Sequence, residues 1–250
     1  MKNRRSFLVQ STLATTAMFA LKPLTGIGKT LSQLTGFGIG NDKLALLHTA
    51  HPGHSSHHKV ISHIQHIKNN NRNAILLNAS PDVQDKTGPL QYDASMNAFN
   101  DLSARGGDYK IITKGNTRTG IISAKPGENN VIQKIKTLSA WLKEEKKCTL
   151  VVCLSQLGFK NQNSPDDITL AKESAHLDII IGGHAENFYV HPTIVLNRDN
   201  SEVIIHSAPG DSFAWGQIEI DFDRQGRKNK ISFADQSSKD ISSGRAIPAA

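Results

Sequence analysis

The chain has 250 residues, of which 38% are hydrophobic, 20% charged and 6% aromatic. That composition, with a mean hydropathy of -0.35, suits one globular domain with its own core and excludes a multi-span membrane protein, a collagen and a disordered acidic chain. The formal charge of +7 is concentrated: Lys2, Arg4, Arg5, Lys22 and Lys29 stand in the first thirty residues without one acid, the remainder carries only +2, and no basic groove for nucleic acid is implied.

Taken in chain order, Asn3-Arg4-Arg5-Ser6-Phe7-Leu8-Val9 opens into a mildly apolar stretch ending at Leu21. A paired arginine before a short, Ser/Thr-diluted apolar run resembles the twin-arginine export signal of bacteria. The run is shorter than the ~20 residues that span a bilayer. Residues 1–30 are therefore read as a signal, implying a periplasmic or otherwise exported protein with no membrane span beyond it. Residues 31–42 read as a Gly/Ser/Thr-rich linker, 43–223 as the folded domain, and 224–250 as a polar, loosely packed tail.

Within the domain, Lys43 to His48 is a short apolar strand. His57 to Asn69 carries Val60, Ile61, Ile64 and Ile67 at helical spacing and stops in an Asn-rich run. Ala74 to Leu77 predicts a second buried strand, Ser95 to Leu102 a helix. Tyr109 to Ile112 and Thr119 to Ile122 predict a hairpin around Gly115-Asn116. Val131 to Lys147 has the pattern of an amphipathic helix and Thr149 to Leu154 that of a strand. A helix near Asp167 to Ala175, capped by Asp166-Asp167, then leads into a strand at Leu177 to Ile181. Thr193 to Leu196, Glu202 to Ile205 and Gly216 to Phe222 alternate like antiparallel strands. Cys148 and Cys153, five residues apart on one apolar run, would face opposite sides of a strand and lie too far apart for a disulfide, so both read as core thiols.

Short apolar strands ending in polar loops and separated by helices describe an α/β layered fold, whose functional groups gather at the carboxyl ends of the strands. Those ends are His48-Thr-Ala-His51-Pro-Gly-His54, Asn78-Ala-Ser-Pro81, Ser155-Gln156-Leu-Gly158 and Gly182-Gly183-His184-Ala-Glu186.

In this order, the four loops resemble those of the calcineurin-like metallophosphoesterases, in particular the catalytic domain of the 5′-nucleotidase family, over roughly Lys43 to Asp223. The resemblance implies an αββα sandwich of two mixed β-sheets, here truncated. By descent it implies hydrolysis of phosphate monoesters such as nucleotides at a pair of divalent cations. The family motifs are His-Thr-Asn-Asp-x-His, Asp-Ala-Gly-Asp, Leu-Ser-His-Leu-Gly and Gly-Gly-His-x-His. Against them, His51 stands where the first motif has its Asp, and His54 is displaced by an inserted Gly53. Asn78 and Pro81 replace the two acids of the second motif, Gln156 replaces the third motif's His, and Glu186 follows a retained His184. The Gly-Asn-His-Glu tetrad has no counterpart between Phe99 and Tyr109, and the family's C-terminal domain has none before Ala250.

Two adjacent dications need carboxylates to offset their repulsion, and among these positions only Glu186 is an acid. The expected outcome is an impaired or inactive homologue. Its partners would be a complete homologous phosphoesterase or a phosphate-containing small molecule. One alternative is a remodelled site in which His51 or His54, His184 and Glu186 hold a single zinc or manganese with an open position. The other is a peripheral metal-binding protein using the cluster in which seven of the 11 histidines fall between His48 and His66. The bland reading makes His57, His58, His63 and His66 a solvated face that charges as pH falls. It has His48 bonding the second loop as a structural residue, and it assigns His206 no role.

Overall fold

The computed structural model describes residues 43–49, 58–79, 91–95, 109–161, 165–183, 192–207 and 214–237. The signal and linker positions lie outside them. In chain order the strands are β1 (Lys43–Thr49), β2 (Ala74–Asn78), β3 (Ala94–Ser95), β4 (Tyr109–Lys114), β5 (Thr117–Ala124), β6 (Leu150–Ser155), β7 (Ile179–Gly182), β8 (Thr193–Leu196), β9 (Glu202–Ser207), β10 (Ala214–Phe222) and β11 (Lys228–Ser237). The helices are α1 (His58–Asn70), α2 (Val131–Glu144) and α3 (Asp167–Glu173).

The strands form two mixed sheets, one ordered β11-β10-β1-β2-β3 and the other β4-β5-β6-β7-β9-β8. In the first, β1 pairs parallel with β2 and antiparallel with β10. In the second, β5, β6, β7 and β9 are parallel, and β4 and β8 close the edges antiparallel. Strand β9 thus joins the parallel set through β7 while keeping with β8 the antiparallel pairing its alternation predicts.

The near-continuous apolar runs of the central strands follow from burial on both faces. Leu44, Leu46, Ile75 and Leu77 of the first sheet meet Val152, Leu154, Ile179 and Ile181 of the second in a core between the sheets. The opposite side chains of the first sheet, Ala45, Leu47 and Leu76, pack with Trp215 against Ile64 of α1. Those of the second, Val151, Cys153 and Ile180, pack against Ile135 and Leu142 of α2 and Leu170 of α3. The layers run helix, sheet, sheet, helix, as the α/β reading requires. No helix among the described residues is long and apolar enough to cross a membrane.

Three local expectations change. Residues 228–237 are not a loose tail but the edge strand β11, antiparallel to β10. Their polarity is that of a strand with one solvated face, and Ile231 and Phe233 turn inward against the inter-sheet core. The hairpin is set by Asp223, whose carboxylate accepts from the amides of Gln225 and Arg227 at 2.9 Å each, with Gly226 at φ 75°. Helix α2 stops at Glu144 because Lys147 turns left-handed at φ 53° and the Cys148 amide bonds back to the Leu142 carbonyl at 2.9 Å. Cys148 therefore precedes the strand and shares the helix-side core with Cys153; both thiols are free and buried. Finally, Ser95 ends strand β3 instead of opening a helix, and residues 96–102 lie outside the described residues.

Candidate functional site

The carboxyl ends of the parallel strands from both sheets converge. Strand period places His48 on the same face as Leu44 and Leu46, and His206 on the same face as Ile204, so both imidazoles turn into the space between the sheets. There His48 Nε2 and His206 Nδ1 share a hydrogen bond of 2.7 Å, with the rings nearly perpendicular at a centroid distance of 4.9 Å. Phe233 of β11 stacks on His206 at 5.4 Å. Burial, reinforced by the neighbouring His206, holds His48 well below the ordinary histidine value, so it is neutral at physiological pH. The expected bond from His48 concerns the second loop, whose residues 80–90 lie outside the described residues; what the described residues show is this cross-sheet pair. Its second member lies 158 residues away, and the only sequence signal for it is the alternation of β9.

The second convergence involves backbone. A Cβ on Gly183, just past β7, would overlap the carbonyl of Ala79, just past β2. The preceding Gly182 leaves room for the Ser207 hydroxyl, since a Cβ there would overlap Ser207 Oγ and lie 3.4 Å from Asp167 Oδ2. Gly183 is thus required by close approach of backbone between the two sheets, whereas a methyl at Gly182 would need only the Ser207 hydroxyl to turn.

Asn78 is fully buried, shares the α1-facing side of β2 with Ala74 and Leu76, and registers beside Thr49 and Ser95. The Thr49 hydroxyl lies 3.0 Å from that of Tyr92. Half-buried Gln156 is fixed through its own amide, which donates to Ala124 at 3.0 Å. Beneath it, fully buried Ser155 donates to Asp167 and accepts from the Leu157 amide at 3.2 Å. Ser155 faces α3 and not the loop mouth, so it offers no accessible nucleophile.

The capping expectation divides between the two aspartates. Asp166 is the cap, accepting from the Thr169 amide at 2.6 Å, whereas Asp167 turns inward and is 1% exposed. Burial pushes the Asp167 carboxyl up to about 7 against the opposing hydrogen bond from Ser155. The signal for this was available: Asp167 stands at i with buried Leu170 and Ala171 at i+3 and i+4.

His51, His54, Pro81, His184 and Glu186 lie outside the described residues. On the histidine-rich helix the described side chains diverge. His63 leans on Trp215 at 5.7 Å, and His66 Nε2 lies 2.8 Å from Asn70. Among the described residues, no three of His, Cys, Asp and Glu form a group that could hold a metal ion. The donor chemistry at the described strand ends does not fit a pair of dications. Asn78 and Gln156 are neutral amides, and His48 is engaged by His206. A groove of about 560 Å³, lined by Asp178, Glu202, Lys228, Ile231 and Phe233 among others, opens at the opposite end of the sandwich.

No protein-family model and no curated protein matches the chain. Among solved structures it is similar to a 5′-nucleotidase precursor from Thermus thermophilus, with TM-score 0.55 and 16% identity over 82% of this chain and 59% of that one. It is also similar to the NAD nucleotidase of Haemophilus influenzae, with TM-score 0.57 and 13% identity over 78% and 50% respectively. The fold is metallophosphoesterase-like. A hypothetical protein, also from Thermus thermophilus, shares it at TM-score 0.52 and 10% identity, with 78% of this chain covering 99% of that one. The chain thus spans little more than half the length of the two nucleotidases. At these identities the likeness is one of architecture, and in a metallophosphoesterase-like sandwich of this kind the converging strand ends are the place to look for chemistry.

Proposed function

We propose that the chain is an exported homologue of the nucleotidase-like phosphoesterases whose hydrolysis of phosphate monoesters is impaired or lost. It acts instead as a binding or assembly partner, either of a complete homologous phosphoesterase or of a phosphate-containing small molecule. The observation that carries this reading is the neutral donor set at the strand ends. Asn78 is fully buried where the family resemblance places an acid, and Gln156 stands where it places an imidazole. Phosphoryl hydrolysis by paired metals needs anionic ligands to hold the ions and a bridging oxygen to supply the nucleophile, and neither amide provides these. The arginine pair at Arg4-Arg5 supports export.

The test is metal analysis of the purified chain together with phosphomonoesterase assays in zinc, manganese and calcium. The expected result is no stoichiometric metal and no turnover, with co-elution when a complete homologue is added in size-exclusion chromatography. Turnover abolished by His184→Ala would overturn the proposal in favour of a single-metal hydrolase built on His51 or His54, His184 and Glu186. Metal uptake abolished by deleting residues 57–66, but indifferent to His184→Ala, would instead favour a peripheral metal-binding role.

A further inference from the structure

The described edges of the two sheets are unequally protected against pairing with another chain. Strand β3 is only two residues long. Strand β4 carries Lys110 and Lys114, and β11 carries Lys228 and Lys230. Lysines on an edge discourage strand addition, because an incoming strand would desolvate the ammonium groups. Strand β8 closes the second sheet with Thr-Ile-Val-Leu, a run without charge, proline or bulge. No described strand pairs with its far side.

The side chains of β8 divide by face. Val195 turns into the helix-side core. Ile194 registers with Ile204, a member of the core between the sheets, so Ile194 and Leu196 stand on the inter-sheet face. Each is 58% exposed, and Ile194 borders the groove whose lining also includes Ile231 and Phe233 of β11. Two backbone bonds settle what the edge offers. The Asn197 amide donates to Ser201 at 3.0 Å, which sets residue 197 toward β9, and the Ile204 amide donates to Asp178 at 3.0 Å, away from β8. Antiparallel ladders alternate, so Thr193 and Val195 bond to β9 while the N–H and C=O groups of Ile194 and Leu196 point off the sheet. Pro192, next in that outward row, has no N–H to add.

We propose that β8 is a self-complementary interface, through which two copies of this chain pair antiparallel about a two-fold axis at Val195. In that register Ile194 faces the partner's Leu196 and Leu196 faces the partner's Ile194, and each pair exchanges both of its N–H···O bonds. Moving the axis to Ile194 sets Leu196 against the partner's Pro192, which cannot donate. Moving it to Leu196 sets Ile194 against the partner's Arg198, which lies in the turn after the strand. The axis at Val195 therefore satisfies the outward row best. It also places isoleucine beside leucine on the inter-sheet face, a favourable cross-strand pair, and the uncharged strand brings no like charges together. One patch supplies both halves of the contact, as a two-fold interface requires. A pairing this short buries well below the ~1,600 Å² of a standard interface, so the dimer is weak, with Kd on the order of 10 μM.

The experiment is sedimentation velocity of the full chain from about 1 μM to about 1 mM, where a reversible monomer–dimer equilibrium is expected. Ile194→Lys puts an ammonium on the seam and should weaken association by roughly tenfold or more. The unfolding midpoint should stay at the parent's, because the position is exposed. Leu196→Lys is the second variant and should act alike, whereas Lys230→Ala on the β11 edge should change nothing. Val195→Cys reads the register. Antiparallel partners that are not hydrogen-bonded stand with Cα atoms about 4.5 Å apart, within disulfide reach. Mild oxidation should therefore link two chains through residue 195, with Cys148 and Cys153 both buried and silent. A chain still monomeric at the highest concentration, a dimer that both lysine variants leave intact, or a dimer that Val195→Cys does not cross-link overturns the interface. No arm uses a phosphate compound or a homologous enzyme, so this proposal and the proposed function stand or fall separately.

Discussion

The two ends of the second sheet solve the same problem by opposite means. Where its parallel strands begin, Asp178 accepts from the Val151 amide at 2.7 Å and is clasped by Lys143 of α2 and by Lys228 of β11, a strand of the other sheet. A buried carboxylate is held there by charge, and it fastens three elements. Where the strands finish, the described polar groups are a hydrogen-bonded imidazole pair, buried hydroxyls, an amide and an acid that no described cation meets. Charge secures the end where the parallel strands begin, and among the described residues the end where they finish is held without an ion pair. The base is structural in the ordinary sense, whereas the described part of the loop end relies on close backbone contact and on hydrogen bonds without an ion pair.

The largest way to break the contrast is at the loop end, through backbone. Gly183→Ala should destabilise the chain by roughly 4 kcal/mol or prevent folding, since the added methyl meets the Ala79 main chain, which cannot swing aside. Urea denaturation against Gly127→Ala provides the control. At that exposed turn a methyl meets nothing within 4 Å, and only the positive φ of 78° is strained, for about 1 kcal/mol. Equal losses in the two variants would refute the packing account.

At the base, Asp178→Ala should cost about 3 kcal/mol by leaving the Val151 amide without its acceptor and Lys143 and Lys228 without their counter-charge. The matching change at the loop end should have the opposite sign above neutrality. Asp167 is raised from its unfolded value of 3.8 to about 7, so the folded state binds the extra proton between those values. Its stabilisation is complete below pH 3.8 and is lost as pH rises towards 7. Asp167→Asn should therefore gain roughly 4 kcal/mol over the parent at pH 8 and little at pH 4, by thermal or urea unfolding. Destabilisation at pH 8 would contradict it.

His48 works in reverse. Its folded value is depressed below 6.5, so its contribution is present above pH 6.5 and is lost as pH falls below that point. Over the mildly acidic range the two groups oppose each other and flatten the parent's profile. Asp167→Asn should expose the acid loss due to His48, and His48→Gln should expose the alkaline loss due to Asp167. The smallest effect belongs to the surface. Glu173→Gln, which removes the ion pair with the exposed Arg198, should change stability by no more than about 0.5 kcal/mol.

Much of the fold was legible because burial on both faces writes itself into the chain as unbroken apolar runs. Leu44 to Leu47, Ala74 to Leu77 and Leu150 to Leu154 could hardly be anything but central strands. The edge strand β11 was illegible for the complementary reason: half of it is wet, and only Ile231 and Phe233 betray the inward side. At the loops, Asn78 and Gln156 could be singled out because their positions sit in local motifs. The His48–His206 pair could not, because no local pattern links residues brought together across two sheets. Asp167 was misassigned because an acid beside a helix start satisfies the capping pattern, and with two adjacent acids the pattern does not say which one turns inward.

The glycine pair at Gly182 and Gly183 has a wider implication. Gly183 is demanded by the body of the protein, through a facing carbonyl, and would be needed if nothing ever bound above it; Gly182 beside it borders a hydroxyl that can turn. A Gly-Gly doublet preceding a histidine therefore announces how two sheets are joined, and says nothing by itself about whether an ion sits beyond the join. Engineering a working centre into such a scaffold should begin with acids at the neighbouring turns, leaving the doublet untouched.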